Sequence, residues 1–183
     1  MNTRKVMTYL HLSLASLFMP LLLLMPFTGT MYLLGFKGDQ TKTEAFRIPA
    51  VAIPEDEAEQ KVFFREIFLA NSVQYSFSYI RGGGKEFIFR PTSRVHYVAS
   101  IADTAEKSEI VFSKVEPDLM KRLIEVHKGH GPVAMKWFEV AFGLALILMT
   151  LSGLWLAWTV KPYRKATLIS FGMGALIIAL CLI

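Results

Sequence analysis

All fifteen acidic residues of this 183-residue chain lie between Lys37 and Glu139, and none lies on either side. The flanks hold three long runs without a single charge: residues 6–36, 140–160 and 166–183. Each is about as long as a helix needs to cross the roughly 30 Å hydrocarbon layer, at about 1.5 Å of rise per residue. The basic residues outside the middle segment are Arg4, Lys5, Lys161, Arg164 and Lys165. They stand at the start of the first run and in the short link between the second and third, which is the positive-inside pattern with both basic sites cytoplasmic. The expectation is a membrane α-helical protein with transmembrane helices at 6–36, 133–160 and 166–183. The middle segment, 37–131, is then one extracytoplasmic domain, and the carboxyl terminus lies at the outer face.

The formal charge of +5 does not point to nucleic acid, because residues 37–139 hold fifteen Lys/Arg against fifteen Asp/Glu. The excess belongs to the two cytoplasmic stretches, where it sets topology and meets anionic lipid. Cys181 is the only cysteine. The exported domain therefore has no internal disulfide and must be held by a packed core. No CxxC or CxxCH is possible, which excludes c-type haem attachment and thioredoxin-like chemistry within the chain. The first run is twice the length of a signal-peptide core and no A-x-A-like site follows, so it is expected to stay as a membrane helix. Pro20 and Pro26 fall inside it and should kink it or open its hydrogen-bond ladder.

Within the middle segment, 45–51 alternates weakly and suggests a short strand. Pro54-Glu55-Asp56-Glu57 reads as a helix start, with proline and carboxylates at the positive end of the dipole. That helix continues to Ala70 with an apolar face of Ala58, Val62, Phe63, Ile67 and Ala70. Tyr75, Phe77 and Tyr79 alternate with Ser76 and Ser78, the clearest strand signal. Gly82-Gly83-Gly84 then makes a hairpin turn into a strand at 86–90. Val95, Tyr97, Ala99 and Ile101 alternate in a further strand, a turn follows at 103–107, and another strand spans 109–115. Pro117-Asp118 opens a second helix with Leu119, Leu123 and Val126 on one face. His127-Lys128-Gly129-His130-Gly131-Pro132 breaks it just before the second membrane helix. The order is that of a small α+β module hung between membrane segments.

Two groups of residues carry a resemblance to a known family. The first helix has Leu10-His11-Leu12 near its start and Phe27-Thr28-Gly29 near its exit. The segment Val126-His127-Lys128-Gly129-His130-Gly131-Pro132 leads through Lys136-Trp137 to Leu151-Ser152-Gly153-Leu154-Trp155-Leu156-Ala157-Trp158. This resembles the PepSY-associated transmembrane family of bacterial inner-membrane proteins, with its histidine–glycine segment and a helix ending in Thr-Gly-(x)-Trp. The resemblance implies a PepSY-like domain, a periplasmic location for it, and a link to iron-regulated systems, some of whose members resemble ferric-siderophore reductases carrying b-type haem. Larger members have a fourth membrane helix and more soluble sequence. Three helices and one small domain argue against an independent reductase.

Four histidines are candidates for chemistry. His11 lies in an apolar helix near its cytoplasmic end, where an ionisable group is a functional candidate. The competing reading is an interfacial histidine bonded to headgroups or to a Ser/Thr hydroxyl. His127 and His130 are an i, i+3 pair that can share a metal or haem, and Gly129 and Gly131 let backbone approach a flat macrocycle. The competing reading is a polar hinge facing water. His96 shares a strand face with Arg94 and Ser100 and is expected to be solvated. His11 and His127 are expected at opposite faces of the bilayer, so a haem b held by either needs a second copy or a second subunit for its other ligand.

Other chemistry has thin support. No carboxylate or Lys/Arg is expected in the second or third helix, which leaves proton relay and ion-coupled transport without ligands. The domain's carboxylates read as a solvated surface, and hydrolase signatures are absent. The leading expectation is a non-catalytic accessory or assembly partner in a membrane redox or metal-uptake system. Its partners would be membrane lipid and other membrane subunits or a second copy. The alternatives are a b-haem electron carrier with His11, His127 and His130 as ligands, and an exported sensor that docks a peptide or partner.

Overall fold

The computed structural model describes residues 3–103 and 108–183. Ten elements follow one another: α1 (Thr3–Leu33), β1 (Gln40–Pro49), α2 (Glu57–Ala70), β2 (Tyr79–Gly83), β3 (Glu86–Arg90), β4 (His96–Asp103), β5 (Ser108–Pro117), α3 (Leu119–His127), α4 (Val133–Thr159) and α5 (Lys161–Cys181). The turn expected at 103–107 lies, after Asp103, outside the described residues. The chain forms two compact units, one of residues up to Leu23 with Val140–Ile183, the other Leu24–Glu139.

α1, α4 and α5 are long and apolar enough to cross a membrane. At 31, 27 and 21 residues they run roughly 46, 40 and 31 Å. In the first unit, Phe18, Leu21, Phe142, Ala145 and Met149 are buried, and the Phe18 and Phe142 rings sit 5.8 Å apart. No residue of α5 is buried, so its whole apolar surface needs lipid or another chain to cover it. Only Val160 separates α4 from α5. The basic link expected at 161–165 is therefore the first turn of α5, with Pro162 placed where a missing N–H costs nothing. α4 likewise begins at Val133 and carries Lys136 and Glu139, correcting the reading of charge-free second and third helices. A helix continues past the edge of an uncharged run because its end is set by Pro132 and Pro162, not by charge.

The second unit is built on one antiparallel sheet in the order β1-β5-β4-β3-β2. Period-two alternation gives it two faces. Phe87 and Phe89 of β3, Ala99 of β4, Ile110 and Phe112 of β5 and Phe46 and Ile48 of β1 share one, and α2 covers it with Phe64 and Phe68. Ile88, Val98, His96 and Val115 share the other, with α3. The Asp56 carboxylate caps α2 by accepting from the Ala58 and Glu59 N–H groups, and Asp118 caps α3 by accepting from Lys121. Gly84, at φ +68°, makes the expected hairpin between β2 and β3.

Three expectations are corrected. The strand expected at 45–51 is β1, which starts at Gln40 and pairs with β5 over nearly its full length, with a bulge between Glu44 and Phe46. The buried faces of both short helices are rotated from the expected ones. α2 buries Phe64 and Phe68, with Phe63 and Ile67 of the expected face partly buried against the same core, and leaves Val62 exposed; α3 buries Ile124 and Glu125 and leaves Leu119 exposed. Tyr75 and Phe77 do pack on Phe68, but regular pairing begins only at Tyr79, opposite Arg90. Ile80, opposite Phe89, takes the core side, so Tyr79 turns away from it. Residues 73–77 belong to no ladder, and alternation there is not continuous with that of β2.

Candidate functional site

The turn after α3 decides where two of the candidate histidines go. Lys128 ends the helix, and Gly129 follows at φ +71°, a left-handed conformation that costs glycine little. The Gly129 N–H donates to the Val126 carbonyl at 2.8 Å and the His130 N–H to the Glu125 carbonyl at 2.9 Å, the paired bonds of a Schellman cap. That reversal brings the His130 ring back onto Glu125, to whose Oε2 its Nδ1–H donates at 2.8 Å. His127, on the helix itself, takes a different partner, Thr28 of α1, with Nδ1 and Oγ1 3.0 Å apart. The two rings line different cavities.

His127 and His11 are held by the same device. The Thr28 hydroxyl gives its proton to the Leu24 carbonyl at 2.7 Å, and the Ser152 hydroxyl gives its own to Met149 at 3.0 Å. A hydroxyl has one proton, so each accepts from the imidazole. Thr28 takes the His127 Nδ1–H, and Ser152 takes the His11 Nδ1–H at 3.0 Å. In the neutral form of each ring this leaves the lone pair on Nε2, and neither Nε2 has a hydrogen bond among the described residues. Both hydroxyls precede a glycine. A Cβ on Gly29 would stand 3.3 Å from His127 Cε1, and one on Gly153 3.4 Å from His11 Cε1. At Gly29 the His127 ring would have to give by a few tenths of an ångström, whereas at Gly153 the His11 ring would stand at about ordinary contact distance. Beside His127 is an apolar cavity of about 400 Å³ lined by Thr28, Gly29, Tyr32, Leu33 and Ile124.

His130 belongs to a polar cluster on the sheet face beneath α3. Glu125 is only 5% exposed. Its carboxylate accepts from Lys128 Nζ at 2.7 Å, Thr92 Oγ1 at 2.7 Å and His130 Nδ1 at 2.8 Å. Arg90, also 5% exposed, donates from Nη1 to Thr92 Oγ1 at 2.7 Å and stands 3.6 Å from Glu125. Burial pushes the Glu125 carboxyl up, but the hydrogen bonds from Lys128, Thr92 and His130 outweigh it and hold it down at about 2. Burial lowers the pKa of His130 against the opposing pull of Glu125. The pair at neutral pH is therefore a carboxylate and a neutral imidazole.

His96 is not solvated. It is 4% exposed, its Nδ1–H donates to the Arg94 carbonyl at 2.9 Å, and burial lowers its pKa. The expected outward face of β4 is covered by α3, which strand periodicity does not show. The carboxylates are likewise not all surface groups, since Glu125 is buried among Arg90, Thr92, Lys121, Lys128 and His130. Its only signal in the sequence is spacing from Lys121 and Lys128, a pattern shared by most solvated helices. Among the described residues no three His, Cys, Asp or Glu side chains converge as a metal site. In comparisons with known proteins, the chain matches no family model, no curated protein and no solved structure.

Proposed function

We propose that this chain is a non-catalytic subunit of a membrane redox or metal-uptake assembly, of the PepSY-associated type, with its sheet domain on the extracytoplasmic side. One observation carries the reading. His127 and His11 are each tied through Nδ1, which leaves Nε2 available, and among the described residues no three His, Cys, Asp or Glu side chains gather around either, which supports a partner supplying any further ligand. The apolar surface of α5, none of it buried in the chain, supports assembly with a further membrane component.

A second reading, a b-haem electron carrier, rests on the same imidazoles. Neutral Nε2 is the donor a haem iron takes, and the apolar cavity beside His127 suits a macrocycle edge. When bound, haem would supply one-electron transfer. The chain's own residues would bring one axial ligand at each place and hold its tautomer through Thr28 or Ser152.

Purification in mild detergent with haem supplied separates these readings. The expected result is a co-purifying membrane subunit that is lost in His127→Ala and kept in His96→Ala. A Soret band lost in His127→Ala selects the haem carrier. Colourless protein whose His127→Ala form retains every partner rejects both. Topology has its own test. A reporter active only in the periplasm should be active after Gly84 and silent within residues 161–165, and the reverse pattern overturns the orientation.

A further inference from the structure

The first unit, residues up to Leu23 with Val140–Ile183, carries the basic side chains Arg4, Lys5, Lys161, Arg164 and Lys165 and not one Asp or Glu. All of them stand at one of its ends. The His11–Ser152 bond and the Phe18–Phe142 contact set α1 antiparallel to α4. Arg4 and Lys5 therefore lie about 10 Å beyond that bond along the axis, level with the junction of α4 and α5. In helices that cross a bilayer this junction stands at headgroup level, a depth that suits the exposed rings of Trp158 and Tyr163.

Lys161, Arg164 and Lys165 are spaced i, i+3, i+4 and share one face at the start of α5, where like charges repel. All three are exposed, and neither lysine side chain has a partner among the described residues. Arg164 is held in place. Its Nε–H donates to the Trp158 carbonyl at 2.6 Å, and its guanidinium lies over the Trp158 ring, 5.9 Å from the centroid. The bond and the ring fix the guanidinium, and both Nη groups are left without a partner among the described residues. A pair of N–H groups held in one plane matches an acceptor with two oxygens. No side chain of the unit can supply that acceptor, and at headgroup level the anion at hand is lipid phosphate.

We propose that the turn between α4 and α5 binds the phosphate of an anionic phospholipid, which accepts from the Arg164 Nη groups beside Lys161 and Lys165. Basic residues that only set topology need charge alone, whereas this site needs the guanidinium where Trp158 holds it. It uses neither His127 nor His11 and stands apart from the subunit reading.

The test is thermal unfolding of the full chain in neutral detergent titrated with phosphatidylglycerol, and separately with phosphatidylcholine and with inorganic phosphate. Phosphatidylglycerol should raise the melting temperature saturably, and the other two should not. Arg164→Lys keeps the charge, and so the topology signal, but loses the fork and the bond to Trp158. It should need about tenfold more phosphatidylglycerol for half the effect. Lys161→Gln should weaken the effect severalfold, and Lys37→Gln, past the far end of α1, should match wild type. If Arg164→Lys does not fold, the comparison of Lys161→Gln with Lys37→Gln decides. An effect that does not saturate, equal stabilisation by phosphatidylcholine or by inorganic phosphate, or wild-type affinity in Arg164→Lys overturns the proposal.

Discussion

Glu125→Ala should lower the stability of the sheet domain by about 3–5 kcal/mol, the cost typical of removing one partner from a buried ion pair. The variant removes the carboxylate that Arg90 pairs with among the described residues, and strips Thr92 and His130 of their acceptor. It also releases the His130 ring, while the backbone bonds of the Gly129 turn remain. Urea unfolding of the full chain in detergent, followed by pulse proteolysis of the domain, measures the loss. A change below about 0.5 kcal/mol, the range of ordinary surface substitutions, would mean that the cluster carries no weight. The wild-type protein should also weaken in acid in two stages. His96 and His130 have lowered folded pKa values, so the unfolded chain takes up protons first and stability falls as pH drops below about 6.5. Glu125, held at about 2 when folded and 4.5 otherwise, adds a second loss as pH falls from about 4.5 toward 2. In Glu125→Gln the second stage should shrink, leaving what Glu44, Glu116 and Asp118 contribute, and the His96 part of the first should remain.

Phe68→Ala should cost a similar amount, about 3–5 kcal/mol. Its ring is 1% exposed and meets those of Phe46, Tyr75, Phe77, Phe89, Tyr97 and Phe112 at centroid distances between 5.1 and 6.2 Å. Few neighbours could collapse into the hole, since most are rings held by strands on the far side of the core. Val62→Ala, on the same helix at an exposed position, should change stability by about 0.5 kcal/mol or less. The same unfolding measurement checks both, and equal losses would mean that α2 packs through the face with Val62.

Membrane-length helices were legible because spanning is a local property: a run of uncharged apolar residues long enough to cross hydrocarbon announces itself without reference to any other segment. The break between α3 and α4 was legible for the same reason, since Gly129 and Pro132 act on their own backbone. The hairpin at Gly84 is equally local. What the sequence left open is which side of each element is buried. α2 is apolar around much of its circumference, so Phe64 and Phe68 and the Val62 side competed, and only the shape of the sheet beneath selected between them. The outward parity of β4 became interior because α3 lies over it, which turned His96 from a surface residue into a buried one.

The site was decided at longer range still. His127 was legible as a candidate, but its partner Thr28 is 99 positions away, and Ser152 is 141 positions from His11. Arg90 and Glu125 are 35 positions apart, and Glu125 read as one of the solvated surface carboxylates. A side chain's residue type sets which bonds it can make, and that much the sequence determined for every histidine, hydroxyl and carboxylate in this chain. Whether its charge is sheltered, which tautomer it holds and whether an N–H goes unpaired depend on atoms the fold brings within about 3 Å, so only the tertiary structure decided them.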